Sequence, residues 1–92
     1  MSLLLIDNQT AAATSNPFKV PPGRTPSLKA IGLTGAEVVT LQCEINDQFT
    51  DVLDSAGAVV TMTATKPHIT INADGTYRVT KGVTAATTVQ LG

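Results

Sequence analysis

The side chains with the most reactive chemistry are few and lie far apart in the sequence. Cys43 is the only cysteine and His68 the only histidine. A cysteine nucleophile needs a basic partner that lowers its pKa, and a zinc site needs several nitrogen or sulfur ligands. Since Cys43 and His68 fall on different predicted strands, we expect Cys43 to act as a small buried apolar residue and His68 to be solvent-exposed.

Three carboxylates, Asp47, Asp51 and Asp54, lie close together in the chain. Such a group could bind calcium or carry out acid–base chemistry. Its spacing does not match the EF-hand loop. The mismatch favours the interpretation that the three aspartates are solvated residues of turns and strand edges. The chain also has no nucleophile elbow and no glycine-rich phosphate loop. The sequence therefore predicts a protein that is not an enzyme and that uses no cofactor and no metal.

The composition argues against a nucleic-acid-binding protein, a membrane-spanning helix and a signal peptide. The net charge is -1 and only 14% of the residues are charged, so the chain has no basic surplus to hold nucleic acid. The longest apolar run, residues 3–6, is far shorter than the roughly 20 residues of a membrane helix and does not form a signal peptide. We therefore expect synthesis in the cytoplasm and neither a nucleic-acid partner nor a membrane partner.

The elements that must position these residues are strands. Val39, Leu41 and Cys43 alternate with Thr40 and Gln42, which is the period of a half-buried strand. Similar short runs recur with turn residues every 8–12 positions, as in a sandwich or small barrel. We predict an all-β fold, a small antiparallel Ig-like β-sandwich of seven to eight strands over residues 15–92. Residues 1–14 are predicted to form an extended N-terminal arm.

Two groups of residues are candidates for contacts with other proteins. Leu3, Leu4, Leu5 and Ile6 form an apolar run that could add a strand to the sheet edge of a neighbour. Lys19 and Arg24 flank a proline-rich loop, where they could contact an acidic neighbour or simply keep an edge strand soluble. A domain this small without a disulfide often gains stability from assembly, so we expect a homo-oligomer or docking on a larger assembly.

Four stretches together resemble small bacteriophage virion proteins: Phe18–Arg24, Gly32–Gln42, Thr50–Leu53 and Asp74–Lys81. Those proteins are single β-sandwich modules that decorate or cement capsids, or occur as modules of fibres and tails. The resemblance implies a structural role in the virion, with the major capsid protein or other virion proteins as partners. It implies no catalytic residues.

Threonine is the commonest residue, with 15 of 92 positions, and it occupies mainly the strand faces opposite the apolar ones. A sheet face with little charge is suited to lying against another protein. The alternative is a tail or fibre module that binds a host-surface glycan or receptor through exposed aromatic rings. Tyr77 is the candidate ring, but its position in a strand suggests the core, and the loop at residues 46–49 is short.

Overall fold

The computed structural model describes residues 3–92, which fold into two antiparallel sheets packed against a common core. The four-stranded sheet has the order β1 (Leu3–Gln9), β10 (Thr87–Leu91), β4 (Ser27–Ile31) and β8 (His68–Thr70). The chain is therefore all-β, as the alternating pattern predicts.

The six-stranded sheet is built on two central strands, β5 (Val38–Ile45) and β9 (Gly75–Lys81). The free side of β9 pairs with β2 (Ala13–Thr14) and β3 (Phe18–Val20), and the free side of β5 pairs with β6 (Gln48–Asp51) and β7 (Thr61–Thr63). Residues 3–92 include no helix, and hence none long and apolar enough to cross a membrane.

The core forms where the apolar faces of the two sheets meet. Leu41 of β5 pairs with Val79 of β9, and both side chains are buried. From the other sheet, Leu28 and Val89 are fully buried as well. Burial of each such side chain contributes about 1.5–3 kcal/mol, which is the main driving force for a domain with no disulfide. The alternation that predicts these strands thus also predicts which face of each strand is inside.

Residues before position 15 contribute two strands of the domain's own sheets. Leu3 pairs with Leu91 and Ile6 pairs with Val89, so β1 is an edge strand of the four-stranded sheet. β2 pairs with the end of β9. These two strands bring the total to ten, against the predicted seven to eight. Residues 3–9 and 13–14 of the segment predicted as an arm therefore belong to the two sheets, and Ile6 lies in the core.

One end of the sandwich is formed by the loop at residues 21–26, which carries the chain from one sheet to the other. The amide of Arg24 donates to the carbonyl of Pro21, and Gly23 has a φ of 81°. This places proline and glycine at the central positions that a type II turn favours. The start of β1 and Gly92 lie at this same end, which we call the proline-loop end.

The opposite end, which we call the Lys81 end, contains the loops at residues 32–37 and 82–86. Gly32 has a φ of 98°, and a Cβ atom there would collide with the carbonyl oxygen of Ala86. The two loops therefore approach each other so closely that only glycine fits at position 32.

Candidate contact surface

The predicted apolar contact run is divided by the structure. Leu3 and Leu4 are about half exposed, at 51% and 54%. Leu5 is half-buried against the core, and Ile6 is buried with 4% of its surface exposed. The run also pairs with β10 of its own chain, so it does not extend from the domain as a free strand. Of the four residues, Leu3 and Leu4 remain able to touch a partner without unfolding.

Lys19 and Arg24 are both exposed at the proline-loop end, on either side of its loop. Arg24 lines a shallow groove of about 420 Å³ together with Gly92. Lys19 lines a second groove of about 370 Å³, whose walls include Pro21 and Pro22. Since Leu3 pairs with Leu91 beside Gly92, the structure brings Leu3, Arg24 and Lys19 to the same end of the molecule.

Three of the edge strands, β1, β3 and β8, are poor templates for an added strand. β1 has two irregularities in its pairing, and Asn8 there has a φ of 50°. β3 has three residues enclosed by Pro17 and Pro21, and β8 has three residues after Pro67. Bulges, prolines and short length are the features by which natural proteins block pairing at an edge. The sheet faces are therefore the better candidates for partner contact in residues 3–92.

The solvent face of the six-stranded sheet carries four threonines in one line across four strands. Thr14 pairs with Thr80, Thr80 with Thr40, and Thr40 with Thr61. We call this set the threonine row. The hydroxyls of Thr14 and Thr80 are 3.0 Å apart, within hydrogen-bonding distance. The alternating sequence places each threonine on an outer face, but only the strand register brings them into line.

Next to the threonine row lies a chain of polar side chains that satisfy one another. The amide nitrogen of Gln42 donates to Asp51 Oδ1 at 3.0 Å, and Arg78 Nε donates to Gln42 Oε1 at 2.7 Å. The guanidinium of Arg78 also lies 4.2 Å from the centre of the Phe49 ring. The charges of this face are thus held in place beside an uncharged central row.

The outer face of the four-stranded sheet has a different character. Leu4, Gln90, Lys29 and His68 are in register across its strands. His68 is exposed at the start of its strand, which confirms the expectation that it is solvent-exposed. Lys29 is exposed too, so a protein lying on this face must cover a lysine near its centre.

A buried polar cluster organises the Lys81 end. Lys81 is 5% exposed, and its Nζ donates to Ala11 O, Gly82 O and Thr84 Oγ1 at 2.6, 3.2 and 2.9 Å. These three acceptors match the three donors of an ammonium group. The cluster ties residues 10–12 to the loop at residues 82–86.

Glu37 joins the two loops of the same end. Its Oε1 accepts hydrogen bonds from the amide and hydroxyl of Thr34, and its Oε2 accepts one from the amide of Ala85. The Thr34 amide is the main cause that lowers the pKa of Glu37 below its ordinary value of 4.5, with smaller contributions from Ala85 and the charge of Lys81. The ionised carboxylate is therefore part of the folded structure.

The candidate chemical residues have structural roles. Asp54 Oδ1 accepts from the amides of Ala56 and Ala58, and Asp47 lies in a turn with a φ of 62°. Cys43 is half-buried rather than fully buried, because it lies near the exposed end of β5. Within residues 3–92, no three His, Cys, Asp or Glu side chains are grouped so that they could hold a metal ion.

Tyr77 belongs to the core, as its strand position predicts. It is buried, stacks on Phe18 with ring centroids 6.2 Å apart, and donates its hydroxyl to Ala73 O at 2.9 Å. Burial raises the pKa of its hydroxyl above the ordinary value of 10.0. Its ring is therefore not presented for stacking on a sugar.

The chain was compared with known proteins at the level of family, sequence and structure. No family model, no curated protein and no solved structure matches it.

Proposed function

We propose that the protein is a structural component of a bacteriophage particle that decorates or cements the capsid through protein–protein contacts. Its partner is the major capsid protein or another virion protein. The observation that carries the proposal is the threonine row, which gives the six-stranded sheet a central line of four uncharged side chains. The resemblance to phage virion modules supports the same role.

Threonine is a favourable residue for such a contact. Its hydroxyl costs far less to remove from water than a charged group does, and its methyl group adds apolar area. Threonine is short and stiff at χ1, whereas a long lysine or glutamate side chain loses about 1.5–2 kcal/mol of rotamer entropy when it is fixed. A row of threonines on a regular sheet can therefore be covered by a partner at low cost.

The remaining candidate residues fit around this face in different ways. Lys19 pairs with Thr76, and both side chains point to the outer side of the six-stranded sheet. Lys19 is thus a rim charge of the proposed contact, where it steers association more than it adds affinity. Leu4 lies on the outer face of the other sheet, so one flat partner surface cannot cover Leu4 and Thr40 together. We assign Leu3 and Leu4 to a second contact.

Binding to particles tests the proposal. Thr40→Glu places a charge in the middle of the threonine row, and we expect it to weaken co-sedimentation with particles that lack the protein by about tenfold or more, because the carboxylate must be desolvated without a partner. Thr70→Glu is the matched control, since Thr70 is exposed on the opposite sheet. Equal binding of the two variants would refute the assignment of this face.

A further inference from the structure

Val83 is the most exposed large apolar side chain in residues 3–92, with 81% of its surface open to solvent. It lies in the loop at residues 82–86, at the Lys81 end. Its neighbours on both sides are fixed: Lys81 Nζ bonds Gly82 O and Thr84 Oγ1, and the amide of Ala85 bonds Glu37. The loop therefore presents an apolar side chain from a rigid base.

A rigid base matters because binding is weakened by the entropy lost when a flexible loop is ordered. The buried cluster around Lys81 has already ordered this loop in the free protein. The Val83 side chain itself remains exposed and is not part of the core of its own molecule. The loop thus has the properties of a preformed anchor for an apolar pocket on another molecule.

The opposite end of the protein has a groove of suitable chemistry. The groove of about 370 Å³ is lined by Lys19, Val20, Pro21, Pro22, Gly75 and Thr76. Two prolines and Gly75 form walls without charge and with little freedom to move. The groove is large enough for a valine side chain, and Lys19 supplies a charge only at its rim.

Strand β9 fixes the relation between these two features. Gly75, at its start, lines the groove, and Lys81, at its end, supports the Val83 loop. At roughly 3.4 Å per residue these positions are about 20 Å apart, so Val83 cannot reach the groove of its own molecule. An anchor and a pocket on opposite ends of one molecule generate a head-to-tail contact between copies.

We propose that the Val83 loop of one copy inserts into the groove between Pro21–Pro22 and Gly75–Thr76 of a second copy. Exposed Lys66 follows β7 at the Lys81 end and exposed Asp74 precedes Gly75 at the groove, so these opposite charges can face each other around the contact. The contact is small and therefore weak in solution. Val83 belongs neither to the threonine row nor to its rim residue Lys19, so loss of the contact between copies in Val83→Asp is expected to leave particle binding intact.

Two complementary variants test the head-to-tail contact. Val83→Asp removes the anchor but leaves the groove open. Thr76→Glu places a carboxylate in the groove, where the cross-strand neighbour Lys19 can pair with it and preserve the fold. Ile31→Asp is the control, because Ile31 is exposed outside the Val83 loop and the groove. Circular dichroism and thermal melting establish that each full-length variant is folded.

Sedimentation equilibrium up to about 1 mM protein gives the readout, a range that detects weak association. We expect wild type and Ile31→Asp to gain mass with concentration, and Val83→Asp and Thr76→Glu each to associate at least about tenfold more weakly. An equimolar mixture of these two variants should form a dimer of about 19 kDa, twice the 9.5 kDa chain, because one intact anchor meets one intact groove.

Three results would overturn the contact. The first is a wild type that stays monomeric across the range. The second is a Val83→Asp or Thr76→Glu variant that associates as strongly as wild type. The third is a mixture of the two variants that stays monomeric while wild type associates, since this outcome indicates a symmetric contact instead of a head-to-tail one.

Discussion

Lys81 shows how a single residue organises one end of this small domain. A buried ammonium is costly unless every donor has an acceptor, and here each of its three N–H groups has one. Within residues 3–92, every buried side-chain nitrogen and oxygen has a hydrogen-bond partner. The charge therefore fixes the geometry of the loops around it, including the loop that presents Val83.

Replacement of Lys81 by methionine tests this role at constant side-chain length. We expect Lys81→Met to lower the free energy of unfolding by about 2 kcal/mol, because Ala11 O and Gly82 O lose their donor. Lys29→Met at an exposed position is the control, with an expected change within about 0.5 kcal/mol. Urea unfolding curves give both values, and equal midpoints for the two variants would contradict the role assigned to Lys81.

Glu37 makes stability depend on pH in the acid range. Hydrogen bonds from Thr34 and Ala85 lower the pKa of the folded carboxyl below 4.5. The unfolded chain therefore takes up this proton first, and the stabilisation that is present above about pH 4.5 is lost as pH falls through the folded pKa. We expect the difference in urea midpoint between wild type and Glu37→Gln to be largest near neutral pH and to shrink towards about pH 3. A difference that stays constant with pH would exclude this linkage.

Among the strands, β1 differs most from the sequence prediction, because it is part of a sheet and not an extended arm. It pairs with the last strand of the domain and contributes Ile6 to the core. Its loss would expose the edge of β10 and leave a cavity between the sheets. Residues 3–14 therefore act as part of the fold, and a truncation that removes them is expected to unfold the protein instead of leaving an intact core.

Two substitutions in β1 separate its core role from its surface role. Ile6→Ala should destabilise the protein by about 2–4 kcal/mol through lost burial and a cavity, whereas Leu4→Ala should change stability by less than about 1 kcal/mol because Leu4 is half exposed. Chemical denaturation measures both. If Ile6→Ala were as stable as Leu4→Ala, β1 would be a dispensable arm.

The local sequence pattern predicts individual strands of this protein, but it does not predict which distant strands pair with one another. The alternation in residues 37–45 predicts β5 and its inner face correctly, because each residue's neighbours two positions away carry the signal. The pairing of Leu3 with Leu91 joins opposite ends of the chain, and no short-range pattern encodes it. The threonine row is hidden for the same reason, since it depends on the register of four separate strands. The burial of Lys81 is not predicted from the sequence either, because a charged side chain normally indicates an exposed position.

The whole molecule measures 33 × 31 × 24 Å and offers surfaces of distinct character. One sheet face carries the threonine row with its ordered polar neighbours, and the other carries Lys29 near its centre and His68 on its edge strand β8. The two ends carry the exposed Val83 side chain and the groove beside Pro21 and Pro22. The proposed role uses one sheet face for the capsid and the two ends for adjacent copies.

Cryo-electron microscopy of the phage particle to which the proposal assigns this chain tests the proposed role most directly. We expect density for the domain on the particle, with Thr40, Thr61 and Thr80 buried against a virion protein and the face containing His68 turned away from that contact. Particles without the domain would contradict the structural role, and a domain whose threonine row faces solvent would contradict the proposed contact surface.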